Sequence, residues 1–268
     1  MNAHAKRWLT AAVLLPIIVG IICFAPPWVF AILIILVIAI GVGEYNTLTL
    51  GAGFSWRKFL SIGGAILCPV VFYFGEARSV VAFLALFLMV MFFLELLRVK
   101  GETIDLIPLF KMAFGFFYLP FTLSHFIWLH QGPKGLWWIF FVLVLAFSGD
   151  TAAYYVGRTM GRRPLIPAVS AGKTVEGTLA LVVFSTLCCY VYGKLFFSSS
   201  PGYHFAILGL VGSILGQLGD LCESALKRMA GVKDSSNLLP GHGGLLDRLD
   251  CLVFVAPFVY HYRQAFLP

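Results

Sequence analysis

"WVFAILIILVIAIGVGEYNTLTL", residues 28–50, is the stretch that decides the fold. Its apolar side chains are continuous and no charge appears before Glu44. A lipid-facing barrel strand would alternate in polarity with period two, so the run reads as a helix, and a bilayer core of ~30 Å asks for about 20 such residues. Runs of the same kind cover 9–25, 59–74, 80–97, 106–129, 136–157, 177–197, 203–221 and 249–266. Of the 268 residues 60% are hydrophobic and 12% charged, against roughly 45–50% and about 25% in a soluble domain. The mean hydropathy is +0.93. The expectation is an all-α polytopic membrane protein with about nine transmembrane helices. Lys6 and Arg7 precede the first run as in a signal peptide, but no small-x-small cleavage pattern follows, so this run is expected to be a retained helix.

A net charge of +7 could suggest nucleic acid, so the distribution of the cations matters more than their number. With connections alternating between the two sides, one side collects fourteen Lys and Arg: the N-terminus, the loops near Arg57/Lys58 and Arg98/Lys100, and the loops 158–176 and 222–248. The other collects Arg78, Lys134, Lys194 and Arg263. The positive-inside rule places the N-terminus and both long polar loops in the cytoplasm. The six cysteines have no metal-type spacing and read as buried thiols.

Residues 1–135 read as scaffold helices, with Glu44 and Glu95 as isolated acids near span ends. Residues 136–268 read as the catalytic region, because polar residues and glycines now interrupt the apolar runs. "GDTAAYYVGRTMGRRPLIPAVSAGKTVEG" carries Asp150, Ser170, Lys173 and Thr174, and "GQLGDLCESALKR" carries Asp220, Ser224, Lys227 and Arg228. Both have a Gly-Asp pair with an Arg eight residues after the Asp, which hints at an internal duplication. On a helix, Asp220, Ser224 and Lys227 or Arg228 form one polar stripe, which suits a cavity and not lipid. An ion pair of Glu223 with Lys227 explains Glu223 but leaves Asp220 without a partner.

Between Glu223 and Asp250 stand Lys227, Arg228, Lys233 and Arg248, the acids Asp234, Asp247 and Asp250, and His242 in a Pro240-Gly241/Gly243-Gly244 frame. Hard carboxylate oxygens suit magnesium, which is held by one or two carboxylates plus substrate phosphates. The cations complement phosphate oxygens. His242 has no second His or Cys at zinc spacing, and "SAGKT" lacks the first glycine and the strand of a P-loop. The chemistry that remains is phosphoryl chemistry at a membrane surface.

"SALKRMAGVKDSSNLLPGHGGLLDRLD", Ser224 to Asp250, closely resembles the signature of the phosphatidate cytidylyltransferases: Ser-x-x-Lys-Arg, Lys-Asp, Pro-Gly-His-Gly-Gly and Asp-Arg-x-Asp. The block from Gly149 to Gly177 is similar to the family's other conserved segment, with Ala152 and Ala171 where Gly and Pro are commoner. The resemblance implies transfer of the cytidylyl group of CTP onto phosphatidic acid, a homodimer, and a site in the inner membrane facing the cytoplasm. It implies a divalent metal, with a second, monovalent cation left open. Asp220 and Asp247 are then expected as metal ligands, with Asp250 and Asp150 as further ligands. Lys227, Arg228, Lys233 and Arg248 would hold phosphates, Ser224 and His242 would bond phosphate or metal-bound water, and Ser170, Lys173 and Thr174 would contact the nucleotide. The Gly-rich frame would shape a turn that brings Asp247 back beside Asp220. An ion-coupled transporter and a CTP-dependent polyprenol or phytol kinase are the rival readings.

Overall fold

Every apolar run read from the sequence lies on helix in the computed structural model, which describes residues 3–98, 105–238, 241 and 243–267, with side chains from residue 12 onward. Lys100, Pro240 and His242 lie outside the described residues. The elements in chain order are α1 (Ala3–Phe24), α2 (Pro27–Leu50), α3 (Trp56–Phe74), α4 (Ala77–Leu96), α5 (Ile107–Phe116), a π-helical turn (Phe117–Phe121), α6 (Thr122–Gln131), α7 (Gly135–Met160), β1 (Pro164–Ile166), β2 (Ser170–Thr174), α8 (Val175–Phe196), α9 (Gly202–Met229), α10 (Leu246–Leu249) and α11 (Leu252–Phe266). Among the described residues, seven spans are long and apolar enough to cross a membrane: α2, α3, α4, the continuous α5–α6 rod, α7, α8 and α9. The first run gives a shorter apolar helix, Ala12–Phe24 within α1, and the last gives the 15 residues of α11, apolar in their first half and polar from Tyr260 to Gln264. The chain is a multi-pass membrane protein.

The contacts divide the chain into two units, Met1–Gln131 with Asp234–Asp247, and Gly132–Lys233 with Arg248–Pro268. In the first, the α5–α6 rod carries Pro120, which has no N–H to give to the helix, in its π-helical turn. Hydroxyls of the following turn donate to carbonyls of this stretch: Ser124 Oγ to Pro120 O at 2.6 Å and Thr122 Oγ1 to Tyr118 O at 2.5 Å. Side-chain donors of this kind help an irregular stretch of helix at membrane depth to keep its carbonyls satisfied. Phe72 is fully buried against Phe121, His125 and Trp128, and Trp128 Nε1 donates to Phe72 O at 2.8 Å. Glu95, buried on α4, is met by Arg57 at the start of α3. Its role is therefore a helix-to-helix ion pair within the scaffold.

In the second unit α7, α8 and α9 pack closely together and α11 lies against α9. The close approach depends on the two glycines that precede aspartates. A Cβ on Gly149 would lie 2.4 Å from Ser185 Oγ and 2.8 Å from Leu181 O of α8, and one on Gly219 would lie 2.2 Å from the backbone oxygen of Asp250. Carbonyl oxygens cannot swing aside as a side-chain tip can. Small residues at such crossings let helix backbones meet without a hydrophobic drive between them.

The two glycines make a direct test. Overpacking a close contact costs about 1–3 kcal/mol, so Gly219→Ala is expected to lower the thermal unfolding midpoint in detergent by several degrees. Gly63→Ala, where the added methyl meets nothing within 4 Å, is expected to leave it unchanged or slightly raised. Equal midpoints for the two variants would show that the Gly219 contact does not constrain the packing.

Candidate active site

The polar connection after α7 is not an open loop. Residues 164–174 form an antiparallel hairpin of β1 and β2, pairing Pro164 with Thr174 and Ile166 with Ser170. The hairpin is tied at its base by Glu176, whose carboxylate accepts from the backbone N–H groups of Arg162 at 3.1 Å and Arg163 at 3.3 Å. Thr174 caps α8 by accepting from Gly177 N at 3.1 Å. The far end is held to α9, where Arg228 Nε donates to Val169 O at 3.3 Å. The strand so placed carries Lys173, and its ammonium forms an ion pair and hydrogen bond with Asp220 of α9. Asp220 is therefore not left without a partner, as the sequence alone suggested; its cation comes from the other polar block, 47 residues earlier.

Around this pair lies a cavity of about 460 Å³ whose walls include Asp150, Tyr154, Lys173, Thr174, Gln217 and Asp220. That volume is within the range of small-molecule sites. Asp150 comes from α7, Gln217 and Asp220 from α9, and Lys173 and Thr174 from the hairpin and the cap of α8. Ser224, one turn beyond Asp220, points its hydroxyl at the Asp220 carboxylate at 3.4 Å. Asp250 sits in the turn before α11, its backbone oxygen against Gly219. Burial, and behind it the negative charge of Asp220, pushes the Asp250 carboxyl up to about 7. A carboxyl raised in this way beside another carboxylate favours a bound cation, whose own charge would reverse the local field. Among the described residues no three of His, Cys, Asp and Glu stand close enough to hold an ion unaided. Magnesium does not need such a cage, since one or two carboxylates and substrate phosphates suffice; Asp220 with Asp150 fits that donor set.

The other expected residues are placed differently. Lys227 pairs with Glu223, which is fully buried on α9. Arg228 braces the hairpin through Val169. Ser170 opens β2, and Lys233 is exposed at the end of the second unit. Arg248 stands on α10 and belongs to the second unit. Asp247 belongs to the first unit, where its Oδ2 accepts from Gly244 N at 2.8 Å, Ser235 Oγ at 3.0 Å and Ser235 N at 3.1 Å. His242 lies outside the described residues.

Gln217 is a polar cavity residue that went unread in the sequence. Its Nε2 is buried with no hydrogen-bond partner among the described residues, although Gln217 lines the cavity. Its position three residues before Asp220 puts it on the same helical face, which is the signal that would have found it.

The family description "Cytidylyltransferase family" matches residues 5–266 of the chain. The chain belongs to that family. It is 36% identical over 214 residues to the phosphatidate cytidylyltransferase of Bacillus subtilis, covering 76% of this chain and 79% of that one. It is 36% identical over 167 residues to the phosphatidate cytidylyltransferase of Haemophilus influenzae, 58% of this chain and 57% of the relative. An uncharacterised Escherichia coli protein, YnbB, is 42% identical over 147 residues, 53% of this chain and 49% of its own. The chain thus spans about half the length of these last two relatives.

Within the family fold the Lys173–Asp220 pair is the contact most open to test. A hydrogen bond to a charged group contributes about 1.5–3 kcal/mol, so Lys173→Met is expected to lower kcat/KM roughly 10- to 100-fold while the protein still elutes as a folded species from size exclusion. Retained kcat/KM would remove Lys173 from the site.

Proposed function

We propose that this chain is a phosphatidate cytidylyltransferase, transferring the cytidylyl group of CTP to phosphatidic acid with formation of CDP-diacylglycerol and pyrophosphate. The observation that supports it best is the cavity in which Lys173 meets Asp220 beside Asp150, Thr174 and Gln217, built from helices that cross a membrane. One substrate keeps its acyl tails in lipid and the other is a soluble polyanion, and a cavity with charged groups framed by membrane helices suits that pairing. The phosphate monoester of phosphatidic acid is already an anionic nucleophile at neutral pH. Its oxygen attacks the α-phosphorus of CTP, the new P–O bond forms, and the bond from that phosphorus to the oxygen bridging the β-phosphate breaks, releasing pyrophosphate. Such a reaction asks for alignment and charge neutralisation more than for a strong base.

Lys173, which lines the cavity together with Arg158, would hold phosphate oxygens once substrate competes for it with Asp220. Thr174 and Ser170 contact the nucleotide, and Ser224 bonds to phosphate oxygen. Arg228, by bracing the hairpin, keeps Lys173 in reach. Lys227, Lys233 and Arg248 keep the phosphate-holding roles that the family resemblance implies. Magnesium would be held by Asp220, with Asp150 and Asp250 next to it, and when bound would neutralise charge developing on the phosphates. Asp247 and His242 keep the roles the resemblance gives them, metal ligand and hydrogen-bond donor. A second, monovalent cation and a homodimer belong to the same reading. The inner membrane belongs to the same reading, and the charge asymmetry of the loops supports a site facing the cytoplasm.

The test supplies the purified protein, in detergent with magnesium, with α-labelled CTP and phosphatidic acid, and separates lipid from aqueous products. Label in a CDP-lipid with matching pyrophosphate is expected; CDP release with a polyprenol would instead identify a lipid kinase, and silence with every lipid would favour a transporter. Chelation by EDTA is expected to stop turnover and added magnesium to restore it. Asp220→Asn and Asp247→Asn keep shape and remove charge, and each is expected to lower kcat roughly 100- to 1000-fold, the scale of losing one electrostatic group from a transition state. A variant with near-full turnover would take that acid out of the site.

A further inference from the structure

Glu44 is a buried acid on α2, six residues before the end of the helix at Leu50 and so roughly 9 Å in from it at 1.5 Å per residue. Its carboxylate accepts four hydrogen bonds from one irregular segment far along the chain. Oε1 takes Ser236 Oγ at 2.5 Å and Leu245 N at 3.0 Å, and Oε2 takes Ser235 Oγ at 3.1 Å and Leu246 N at 2.7 Å. Each oxygen thus has one hydroxyl and one backbone amide.

The same segment holds Asp247. Ser235 Oγ stands 3.1 Å from Glu44 Oε2 and 3.0 Å from Asp247 Oδ2. A hydroxyl has one proton, so the two carboxylates share it. Gly244 completes the arrangement, because a Cβ there would fall 1.9 Å from Ser235 Oγ and 2.7 Å from Glu44 Oε2. Gly241 and Gly243 take φ of 79° and 81°, which L side chains rarely adopt. The segment is therefore folded tightly around the Glu44 carboxylate.

We propose that Glu44 is a positioning residue for the reaction: it sets the conformation of residues 235–238 and 243–246 and, through Ser235, orients the carboxylate of Asp247. This rests on the reading of the chain as a cytidylyltransferase that uses Asp247. The acid, not merely its size, is required. An amide at position 44 keeps one accepting oxygen and turns the other into an NH2 facing a backbone N–H that cannot accept. Glu44 also satisfies backbone donors at membrane depth. If that were its whole role, its loss would lower the yield and stability of folded protein and leave turnover per folded molecule intact.

The test compares wild type with Glu44→Gln and Ser236→Ala, each purified in detergent. It measures thermal unfolding, the rate of trypsin cleavage after the exposed Lys233, and kcat and KM for CTP with phosphatidic acid. For Glu44→Gln, kcat per folded molecule is expected to fall about tenfold or more, the scale of a lost hydrogen bond to a charged group, with KM for CTP within about twofold. Cleavage after Lys233 is expected to accelerate. Ser236→Ala, which removes one donor and keeps the acid, is expected to shift kcat and cleavage the same way by less. Unchanged kcat in both variants, or activity that tracks only the amount of folded protein, overturns the proposal. If Glu44→Gln does not fold, Ser236→Ala decides by the same criteria. If wild type forms no CDP-lipid, the proposed function fails by itself, and the protease rates then decide whether Glu44 holds the segment.

Discussion

A carboxylate inside a bundle of apolar helices must be met by donors or give up its charge, and the polar architecture of this chain follows from that requirement. Glu95 is met by Arg57, Asp220 by Lys173, Glu223 by Lys227, and Glu44 by two hydroxyls and two backbone amides. Only the Glu223–Lys227 pair is local, at i,i+4. The others join residues 38, 47 and as many as 202 positions apart. Each such pair fixes where a distant piece of chain can go. The Asp220 pair holds the hairpin strand against α9, and the Glu44 bonds hold the segment before α10 against α2.

The glycine before each cavity aspartate has a companion purpose. Gly149 admits α8 and Gly219 admits the Asp250 carbonyl to distances that no Cβ would permit. The residue that follows, Asp150 or Asp220, is thereby carried by a helix whose separation from its neighbour is set by backbone contact and not by a flexible side chain. The cavity owes its definition to this. The matching Arg eight residues after each aspartate does not share one role: Arg158 Nη1 donates to Tyr154 Oη at 2.8 Å, whereas Arg228 braces Val169. The repeated spacing reflects two helices with tight crossings, with different work for the cations at their ends.

Part of the site was legible because helical periodicity is short-range. Asp220 and Ser224 fall on one face by spacing alone, and Gln217 is on the same face by the same rule, though its lack of charge gave no reason to single it out. The hairpin was not legible: "RRPLIPAVSAGKT" has little of the alternation that marks a strand, and its pairing is supported from outside by Glu176 and Arg228. Nor was the partner of Asp220, since Lys173 reaches it only once the hairpin has formed. Glu44 and Glu95 looked alike in sequence, each a single acid near a helix end, yet one is an ion pair between scaffold helices and the other gathers a loop.

By itself the sequence determined a membrane-embedded helical protein and the chemistry of its C-terminal blocks, because the length and continuity of apolar runs and the spacing within a signature are local properties of the chain. Only the tertiary structure decided which acid meets which donor. The physical reason is plainest at Glu44, two of whose four donors are the backbone N–H groups of Leu245 and Leu246. Every residue but proline has such a group, so no side chain announces that these two will be the ones used.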